Sequence, residues 1–383
     1  MEQREIFEMI DSLYEPYLQV WQDVGNIESP TRCKALVDEV SQYFANMAKQ
    51  RGWKVDIMKS ENAGDVVCIT LNPDSKEAPI CLSGHLDTVH AVGAFGSPAV
   101  HCDNEKIYGP GVTDCKGGVV AGFLAMDAVS RLGYRNRPVK LLLQTDEEVG
   151  SALSQKKTIN YIIEQSKDAI AFLNLERNNP GTACLGRKGI VTFSFVVKGK
   201  AAHSSNCAEA GANAIVDAAY KMIELDKIKD KDGITCNCAI VNGGTVVNTV
   251  PDRCEFKVNV RYSTMQQYNE ICEYVQKLAA TAHVSGCECE VNQVGQRPAM
   301  EYCERNVALL CKLNEIYKNV GLPVLEAQTR TGGSDAAYVT NAEIPCVDSM
   351  GVAGGEIHTV NEFAYLSSLR DAAYRVAAAI WYL

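Results

Sequence analysis

Four short apolar runs, separated by a segment with helical spacing, restrict the fold of this chain more than any other feature. The runs occupy residues 66–71, 80–82, 139–143 and 169–173. Short strands that are apolar on both faces are typical of a sheet covered by helices on both sides. Between the runs, residues 118–131 have apolar side chains at helical spacing, and Gly133 follows as a stop signal. The pattern predicts an α/β domain built on a mostly parallel sheet.

A different pattern begins after Lys188. Two segments in which apolar and polar residues alternate, typical of half-buried antiparallel strands, follow there together with two amphipathic helical segments. In chain order these segments are 191–198, 212–228, 254–261 and 265–282. A chain of 383 residues is also too long for one ordinary core. We therefore predict a smaller α+β domain over 189–297, inserted into a larger domain made of 1–188 and 298–383.

The composition is that of an ordinary soluble globular protein, with 46% hydrophobic and 22% charged residues. A net charge of -10 argues against nucleic acid and against an anionic membrane as partners. Residues 1–15 place acids among apolar residues, which favours an amphipathic helix over a signal peptide. No uninterrupted apolar stretch is long enough to span a bilayer. We therefore expect a cytoplasmic protein whose 16 cysteines are mostly reduced and serve as small core residues.

Histidines and carboxylates follow the apolar runs, or stand beside glycine, in five motifs. The motifs are Gly84-His85-Leu86-Asp87-Thr88-Val89, Gly109-Pro110-Gly111-Val112-Thr113-Asp114, Thr145-Asp146-Glu147-Glu148, Asn174-Leu175-Glu176 and Ile357-His358-Thr359. Two histidines with several carboxylates form a nitrogen-and-oxygen donor set that suits zinc, at the strand ends where such sheets place their chemistry. Taken singly, each motif has a structural explanation as a hydrogen-bonded histidine, a helix start or a turn, so the argument depends on all five. Of the histidines outside these five motifs, His90, His101 and His283 are expected to have structural roles.

In this order, the five motifs resemble those of the di-zinc peptidase and deacylase family that includes carboxypeptidase G, aminoacylase, acetylornithine deacetylase and succinyl-diaminopimelate desuccinylase. The resemblance extends from about residue 24 to the C-terminus. It implies a phosphorylase/hydrolase-like catalytic domain over 1–188 and 298–383. It further implies that 189–297 is a ferredoxin-like lid and dimerisation domain, and that the protein is a homodimer.

The resemblance also implies two zinc ions per subunit, with cobalt or manganese as alternatives. The implied ligands are Asp114 as the bridge, His85 and Glu176 on one ion, and Glu148 and His358 on the other. Asp87 would accept the second imidazole N–H of His85 and orient the ring. Glu147 would be the general base that takes a proton from the bridging water. The peptide bond after Asp114 would be cis.

Further residues are implied to contact the substrate. Arg261 would bind its free carboxylate with two parallel hydrogen bonds, although a surface ion pair would explain this arginine as well. His203 would polarise the scissile carbonyl from the partner subunit. Asn248 would lie near the substrate, with a turn role as the alternative. The backbone amides of Gly332 and Gly333 would meet the substrate, although a plain turn accounts for the same glycines.

The favoured hypothesis is metal-dependent hydrolysis of an amide or peptide bond adjacent to a free carboxylate. In a carboxypeptidase G-like reaction, a zinc-activated water would release a C-terminal amino acid from a small peptide or N-acyl amino acid. An N-acyl-amino-acid deacylase and a dipeptidase compete within this class. A cysteine hydrolase that uses Cys115 or Cys207 with His203 would leave the carboxylates idle. A non-catalytic dimeric binding protein on the same fold would lack one or more of the metal ligands or the base, and none of these expected residues is missing.

Overall fold

The chain forms two compact units. The computed structural model of the protein describes residues 3–230 and 233–383. The first unit runs to Leu185 and resumes over Tyr302–Thr329 and Ser334–Leu383, and the second unit comprises Gly186–Glu301 and Arg330–Gly333. Within the described ranges, no helix is both long enough and apolar enough to cross a membrane.

The unit boundaries differ by a few residues from the predicted ones. Arg187 and Met300 exchange backbone hydrogen bonds of 2.9 and 3.0 Å, which ties both ends of the inserted segment into the second unit. Lys188 also donates its backbone N–H to the carbonyl of Arg330 at 3.1 Å. The segments around the predicted boundaries at 188 and 298 therefore pack with the second unit, and so does 330–333.

The helices and strands are numbered in chain order. The helices are α1 Gln3–Asn26, α2 Lys34–Gln50, α3 Lys116–Arg131, α4 Lys157–Ser166, α5 Cys207–Ala210, α6 Ala214–Asp226, α7 Met265–Ala280, α8 Glu304–Asn319, α9 Ala336–Asn341 and α10 Leu366–Tyr382. The strands are β1 Lys54–Met58, β2 Val66–Leu71, β3 Ile80–His85, β4 His101–Cys102, β5 Lys106–Tyr108, β6 Val139–Gln144, β7 Ala171–Asn174, β8 Thr182–Arg187, β9 Gly189–Lys198, β10 Thr235–Gly243, β11 Arg253–Tyr262, β12 Glu288–Arg297, β13 Glu326–Arg330, β14 Cys346–Val347, β15 Gly354–Gly355 and β16 Phe363–Tyr365.

The first unit is built on a six-stranded sheet in the order β1-β2-β6-β3-β7-β14. Strands β6, β3, β7 and β14 are parallel to one another, whereas the β1–β2 and β2–β6 pairs are antiparallel. Every residue of β2, β3 and β7 is buried, as expected for strands covered on both faces. Helix α3 packs on β3 and β6, with α1 and α10 against it. On the other face, Lys140 of β6 donates to the Gln165 carbonyl of α4. The predicted mostly parallel α/β sheet is confirmed.

Helix α3 approaches the ends of the central strands closely because its first turns contain glycine. A Cβ atom at Gly118 would lie 1.9 Å from the carbonyl oxygen of Leu175, just after β7. Only glycine permits this approach of helix and backbone. The close packing brings Asp114, two residues before α3, to the edge of the sheet where β3 and β7 end.

The first helix is longer than the sequence analysis predicts. We expected an amphipathic helix over 1–15, whose first two residues lie outside the described ranges, and α1 continues to Asn26. Its apolar stripe continues as well, through Tyr17, Trp21 and Val24, all of which are buried in the core of the first unit. This continued burial stabilises the helix beyond the predicted end.

The second unit has a four-stranded antiparallel sheet in the order β10-β11-β9-β12. Buried and half-buried residues alternate along β9, as the sequence pattern predicts. Phe195 and Phe256 stack at a centroid separation of 4.5 Å in its core, which also includes residues of α6 and α7. Helix α7 begins with a capping box between Thr264 and Gln267. The predicted α+β unit of two helices and antiparallel strands is thus present.

Candidate active site

Three of the predicted site segments meet at one edge of the first-unit sheet because they follow parallel strands. His85 is the last residue of β3, and Glu176 lies two residues beyond β7. Glu147 and Glu148 belong to a 3-10 turn, Glu147–Val149, shortly after β6. Since β3, β6 and β7 are mutually parallel neighbours, their carboxyl ends lie side by side. The pairing of these strands therefore brings together residues that are up to 91 positions apart.

The Asp114 carboxylate lies between two histidines. Its Oδ1 is 3.1 Å from His85 Nε2, and its Oδ2 is 3.3 Å from His358 Nε2. His358 Nε2 is also 3.3 Å from Glu148 Oε2, and His85 Nε2 is 3.7 Å from Glu176 Oε1. All five predicted metal ligands thus lie together in the first unit. They form two groups that share Asp114, one carboxylate oxygen facing each group.

The charges of this cluster show what kind of ligand would suit it. Burial raises the pKa of Glu148 to about 7. Hydrogen bonds to Asp114 and Glu148 raise the pKa of His358 to about 10. Burial alone would raise the pKa of Asp114, but hydrogen bonds from the two histidines hold it well below its usual range. The hydrogen bond to Asp114 raises the pKa of His85 as well, against the effect of burial, so both histidines favour protons beside these carboxylates. The nitrogen-and-oxygen donor set fits a pair of divalent ions, which would replace those protons.

Asp87 connects His85 to the turn that carries Glu147 and Glu148. Its carboxylate accepts the backbone N–H of Glu147 at 3.1 Å, that of Glu148 at 3.2 Å and the Thr31 hydroxyl at 2.8 Å. We expected this carboxylate to accept the second imidazole N–H of His85. The shorter contact of His85 Nδ1 is instead with the Asp87 backbone carbonyl, at 2.9 Å, whereas the carboxylate Oδ1 is 3.6 Å away. The carboxylate is directed to the three other donors.

The peptide bond between Asp114 and Cys115 is cis, as predicted. Cys115 is buried, and its Sγ accepts the backbone N–H of His85 at 3.0 Å. Its Sγ, a ring nitrogen of His85 and a carboxylate oxygen of Glu176 all lie within 4.8 Å of one another. Burial raises the pKa of this thiol to about 12, so at neutral pH it is a neutral thiol.

Glu362 is a buried residue of this site that the sequence analysis missed. Its carboxylate accepts the backbone N–H groups of Gly111, Thr113 and Asp114, and it lies 3.0 Å from His90 Nε2. His90 therefore has the structural environment that we expected. The only signal in the sequence is that Glu362 follows His358 by four residues, which does not by itself distinguish it from a surface acid.

Arg261 and the predicted glycine pair lie together in the second unit. Arg261 Nη1 donates to the carbonyl of Thr331 at 2.6 Å, directly before Gly332. Arg187 Nη1 lies 3.4 Å from the carbonyl oxygens of both Gly332 and Gly333. This turn is therefore held by guanidinium groups through its carbonyl oxygens.

His203 and Asn248 form a separate group in the same unit. His203 is exposed, and its Nδ1 accepts the backbone N–H of Ser205 at 3.3 Å. The same Nδ1 lies 2.8 Å from the Ser205 hydroxyl oxygen. Ser204, the next residue, donates its N–H to the Asn248 carbonyl at 2.9 Å. This group adjoins the start of β11, whereas Arg261 is near its end, roughly 25 Å away at the usual rise of a strand.

The comparisons with known proteins agree with this geometry. Residues 81–382 match the model of peptidase family M20/M25/M40. The chain is 29% identical to carboxypeptidase G2 of Pseudomonas sp. (strain RS-16) over 93% of its length and 86% of that protein. It is 24% identical to succinyl-diaminopimelate desuccinylase of Rickettsia massiliae (strain Mtu5), over 87% of its length and 91% of that protein.

Solved structures share the fold over nearly the whole chain. Aminopeptidase PepT from Bacillus cereus superimposes with a TM-score of 0.80 at 20% identity, covering 96% of this chain and 98% of that one. The YXEP protein of Bacillus subtilis, described as a dinuclear metal binding peptidase from the M20 family, gives 0.71 at 16% identity over 97% and 99%. The family match covers more than half of the chain and confirms the resemblance seen in the motifs. The chain belongs to peptidase family M20/M25/M40 and is an enzyme of the metal-dependent hydrolase type.

Proposed function

We propose that this enzyme uses two zinc ions to hydrolyse an amide bond next to a free carboxylate, releasing a C-terminal amino acid. The observation that carries the proposal is the position of Asp114, whose two carboxylate oxygens face different histidines at 3.1 and 3.3 Å. A carboxylate shared in this way is what a pair of adjacent metal ions requires. The similarity to carboxypeptidase G2 over most of both chains supports the same reaction type.

The chain's own residues divide the work. His85 and Glu176 would hold one ion, Glu148 and His358 the other, and Asp114 both. A bound pair of this kind lowers the pKa of a coordinated water and polarises the substrate carbonyl. Glu147 takes the proton from the attacking water and passes it to the leaving amine nitrogen. The hydrogen bond from the Glu147 backbone N–H to Asp87 fixes the turn on which this carboxylate stands.

Arg261 is proposed to bind the free carboxylate of the substrate. Arginine suits this role because its planar group donates two parallel hydrogen bonds to a carboxylate. One guanidinium nitrogen already donates to the Thr331 carbonyl, which holds the side chain beside the Gly332–Gly333 turn. The preorganised side chain would lose little conformational entropy on binding substrate.

His203 is proposed to act in the active site of a partner subunit. Its Nδ1 faces Ser205, and an Nε2–H on the other side of the ring would be a donor suited to the developing oxyanion of the scissile carbonyl. Within one chain, the length of β11 separates His203 from Arg261, which is too far for both to contact one small substrate. A second copy of the chain that supplies His203 resolves this distance.

The surface of the second unit supports such a homodimer. Helix α6 and the edge strand β10 expose apolar side chains with 36–55% of their surface accessible. These residues are Ile215, Val216, Tyr220, Ile223, Ile240 and Val241. An edge strand with unpaired backbone groups next to an apolar helix face favours pairing with another chain. Two copies meeting through this surface would bury it.

The other hypotheses have weaker support. The similarity to succinyl-diaminopimelate desuccinylase makes N-acyl-amino-acid deacylation the second candidate, and a dipeptidase activity remains a third within the same chemistry. A cysteine hydrolase that uses Cys115 is disfavoured because burial keeps its thiol neutral, and one that uses Cys207 would leave the clustered carboxylates without a role. A non-catalytic binding protein is disfavoured because the ligand set and the adjacent Glu147 are complete.

A substrate panel tests the proposal. Zinc-loaded enzyme is assayed with N-acyl amino acids, dipeptides with a free amine, and their C-terminally amidated analogues. We expect hydrolysis of the N-acylated free acids, loss of activity with a chelator and recovery with added zinc. Preference for unacylated dipeptides would favour the dipeptidase. Equal hydrolysis of amidated analogues, or no hydrolysis with two zinc ions bound, would contradict the proposal.

A further inference from the structure

Glu362 fastens the loop that leads to Asp114. The side chain is 1% exposed. Its Oε1 accepts the backbone N–H of Thr113 at 2.9 Å and of Asp114 at 3.0 Å, and its Oε2 accepts that of Gly111 at 3.3 Å. A buried carboxylate is costly unless strong hydrogen bonds stabilise its charge. The three donors therefore hold the carboxylate and the loop in one arrangement.

The same residue also belongs to the segment that carries His358. It lies four positions after His358 and directly before β16, which pairs with β5. Its backbone carbonyl accepts the N–H of Gly109 at 3.2 Å, at the start of the Asp114 loop. Glu362 thus joins two segments that are far apart in the sequence. It belongs to the segment of His358, and its side chain and backbone carbonyl bind the Asp114 loop.

We propose that Glu362 is a positioning residue for the metal ion that His358 shares with Asp114. The inference rests on the proposed two-metal function. Of the three proposed ligands of that ion, His358 and Asp114 lie on loops, and the side chain of His358 is 52% exposed. Glu148 stands on the 3-10 turn after β6. Besides the shared Asp114, the other ion would be held by His85 and Glu176, which lie at or just beyond the ends of buried strands and are themselves buried. Loss of Glu362 should therefore weaken the His358 ion more than the other.

The test compares Glu362→Gln with Asp127→Asn by zinc equilibrium dialysis and elemental analysis. Glu362→Gln keeps the shape but replaces one acceptor oxygen and the charge by an amide NH₂ group. Asp127 is a matched control because it is also a buried carboxylate of the first unit, bonded to Tyr17, Arg51 and Arg131 and not to the metal cluster. Far-ultraviolet circular dichroism checks folding. If Glu362→Gln does not fold, Glu362→Asp, which keeps the charge but is one methylene shorter, makes the same comparison.

We expect wild type and Asp127→Asn to bind two zinc ions, and Glu362→Gln to lose one at low free zinc, with affinity about 10- to 100-fold weaker for that ion. Wild-type affinity for both ions in Glu362→Gln, or equal loss of both, would overturn the inference while leaving the two-metal function in place. Fewer than two ions on the wild type would overturn the proposed function and this inference with it.

Discussion

The Asp87 carboxylate accepts the backbone N–H of Glu147 at 3.1 Å. This hydrogen bond connects the strand end that carries His85 to the turn that carries the proposed base. The adjacent Glu148 donates to the same carboxylate at 3.2 Å, so one buried side chain orients a proposed metal ligand and a proposed proton acceptor together. The proposed metal ligand and the proposed base therefore share one support, the Asp87 carboxylate.

Removing this support should lower turnover without unfolding the protein. Asp87→Asn keeps one acceptor oxygen but presents an NH₂ group to backbone donors. We expect zinc affinity or kcat to fall about 10- to 100-fold, as is usual when such supporting groups are changed. Thr31→Val, which removes only the hydroxyl donor to Asp87, should have a smaller effect. Steady-state kinetics and zinc dialysis of both variants provide the measurement, and equal effects would show that the two backbone contacts are not the important ones.

The pair Glu147 and Glu148 should separate base from ligand. Glu147→Gln is expected to retain both zinc ions and substrate binding but to lose about 100- to 10,000-fold in kcat, because only proton transfer is removed. Glu148→Gln should instead lower zinc occupancy. Elemental analysis with kcat and KM distinguishes them. If the two variants behave in the opposite way, the two roles are exchanged.

Arg261→Ala tests the carboxylate-bearing substrate. We expect KM for free-acid substrates to rise about 10- to 1,000-fold, since a charged contact is lost, while amidated analogues stay equally poor with both enzymes. The control is Arg253→Ala, an exposed arginine of the same strand that pairs with Glu255. Unchanged kinetics in Arg261→Ala would remove the argument for substrate carboxylate binding by this residue.

Mixing inactive subunits tests the shared site. One site of a Glu147→Gln/His203→Ala heterodimer would have both its base and the partner's histidine, so random exchange should restore about a quarter of wild-type activity. A mixture of Glu147→Gln with His358→Ala should restore none, since each chain then lacks a residue of its own site. Absence of recovery in the first mixture, despite subunit exchange shown by native mass spectrometry, would contradict a site that uses His203 of a second subunit.

Zinc binding should release protons. In the metal-free protein, hydrogen bonds to Asp114 and Glu148 raise the pKa of His358 to about 10, so its ring is protonated at neutral pH. Zinc requires the neutral ring, so binding must displace that proton, and affinity should rise with pH by about tenfold per unit for each proton released. Calorimetry at pH 7 in buffers of different ionisation enthalpy measures the number of protons released when zinc binds. Binding that is independent of pH between 6 and 9 would contradict this assignment.

Periodicity and residue type determined much of this protein from the sequence. The apolar runs predicted the central strands, and the bounds of β2 were predicted correctly. A strand that is buried on both faces needs apolar residues along its whole length, so it appears in the sequence as a continuous apolar stretch. The histidines and carboxylates at their ends predicted the donor set, because parallel strands bring their carboxyl ends to one edge. These are local signals, carried by each segment of the chain separately.

Only the tertiary structure decided how the segments meet. Three features of the site depend on packing between distant segments. The oxygens of Asp114 face different histidines, the Asp87 carboxylate holds the turn of Glu147, and Glu362 reaches the Asp114 loop. That His203 follows the end of β9 paired with the start of β11, whereas Arg261 lies near the other end of β11, depends on strand register. Local periodicity records which side of an element is buried, whereas distances between side chains are fixed only when the elements pack together.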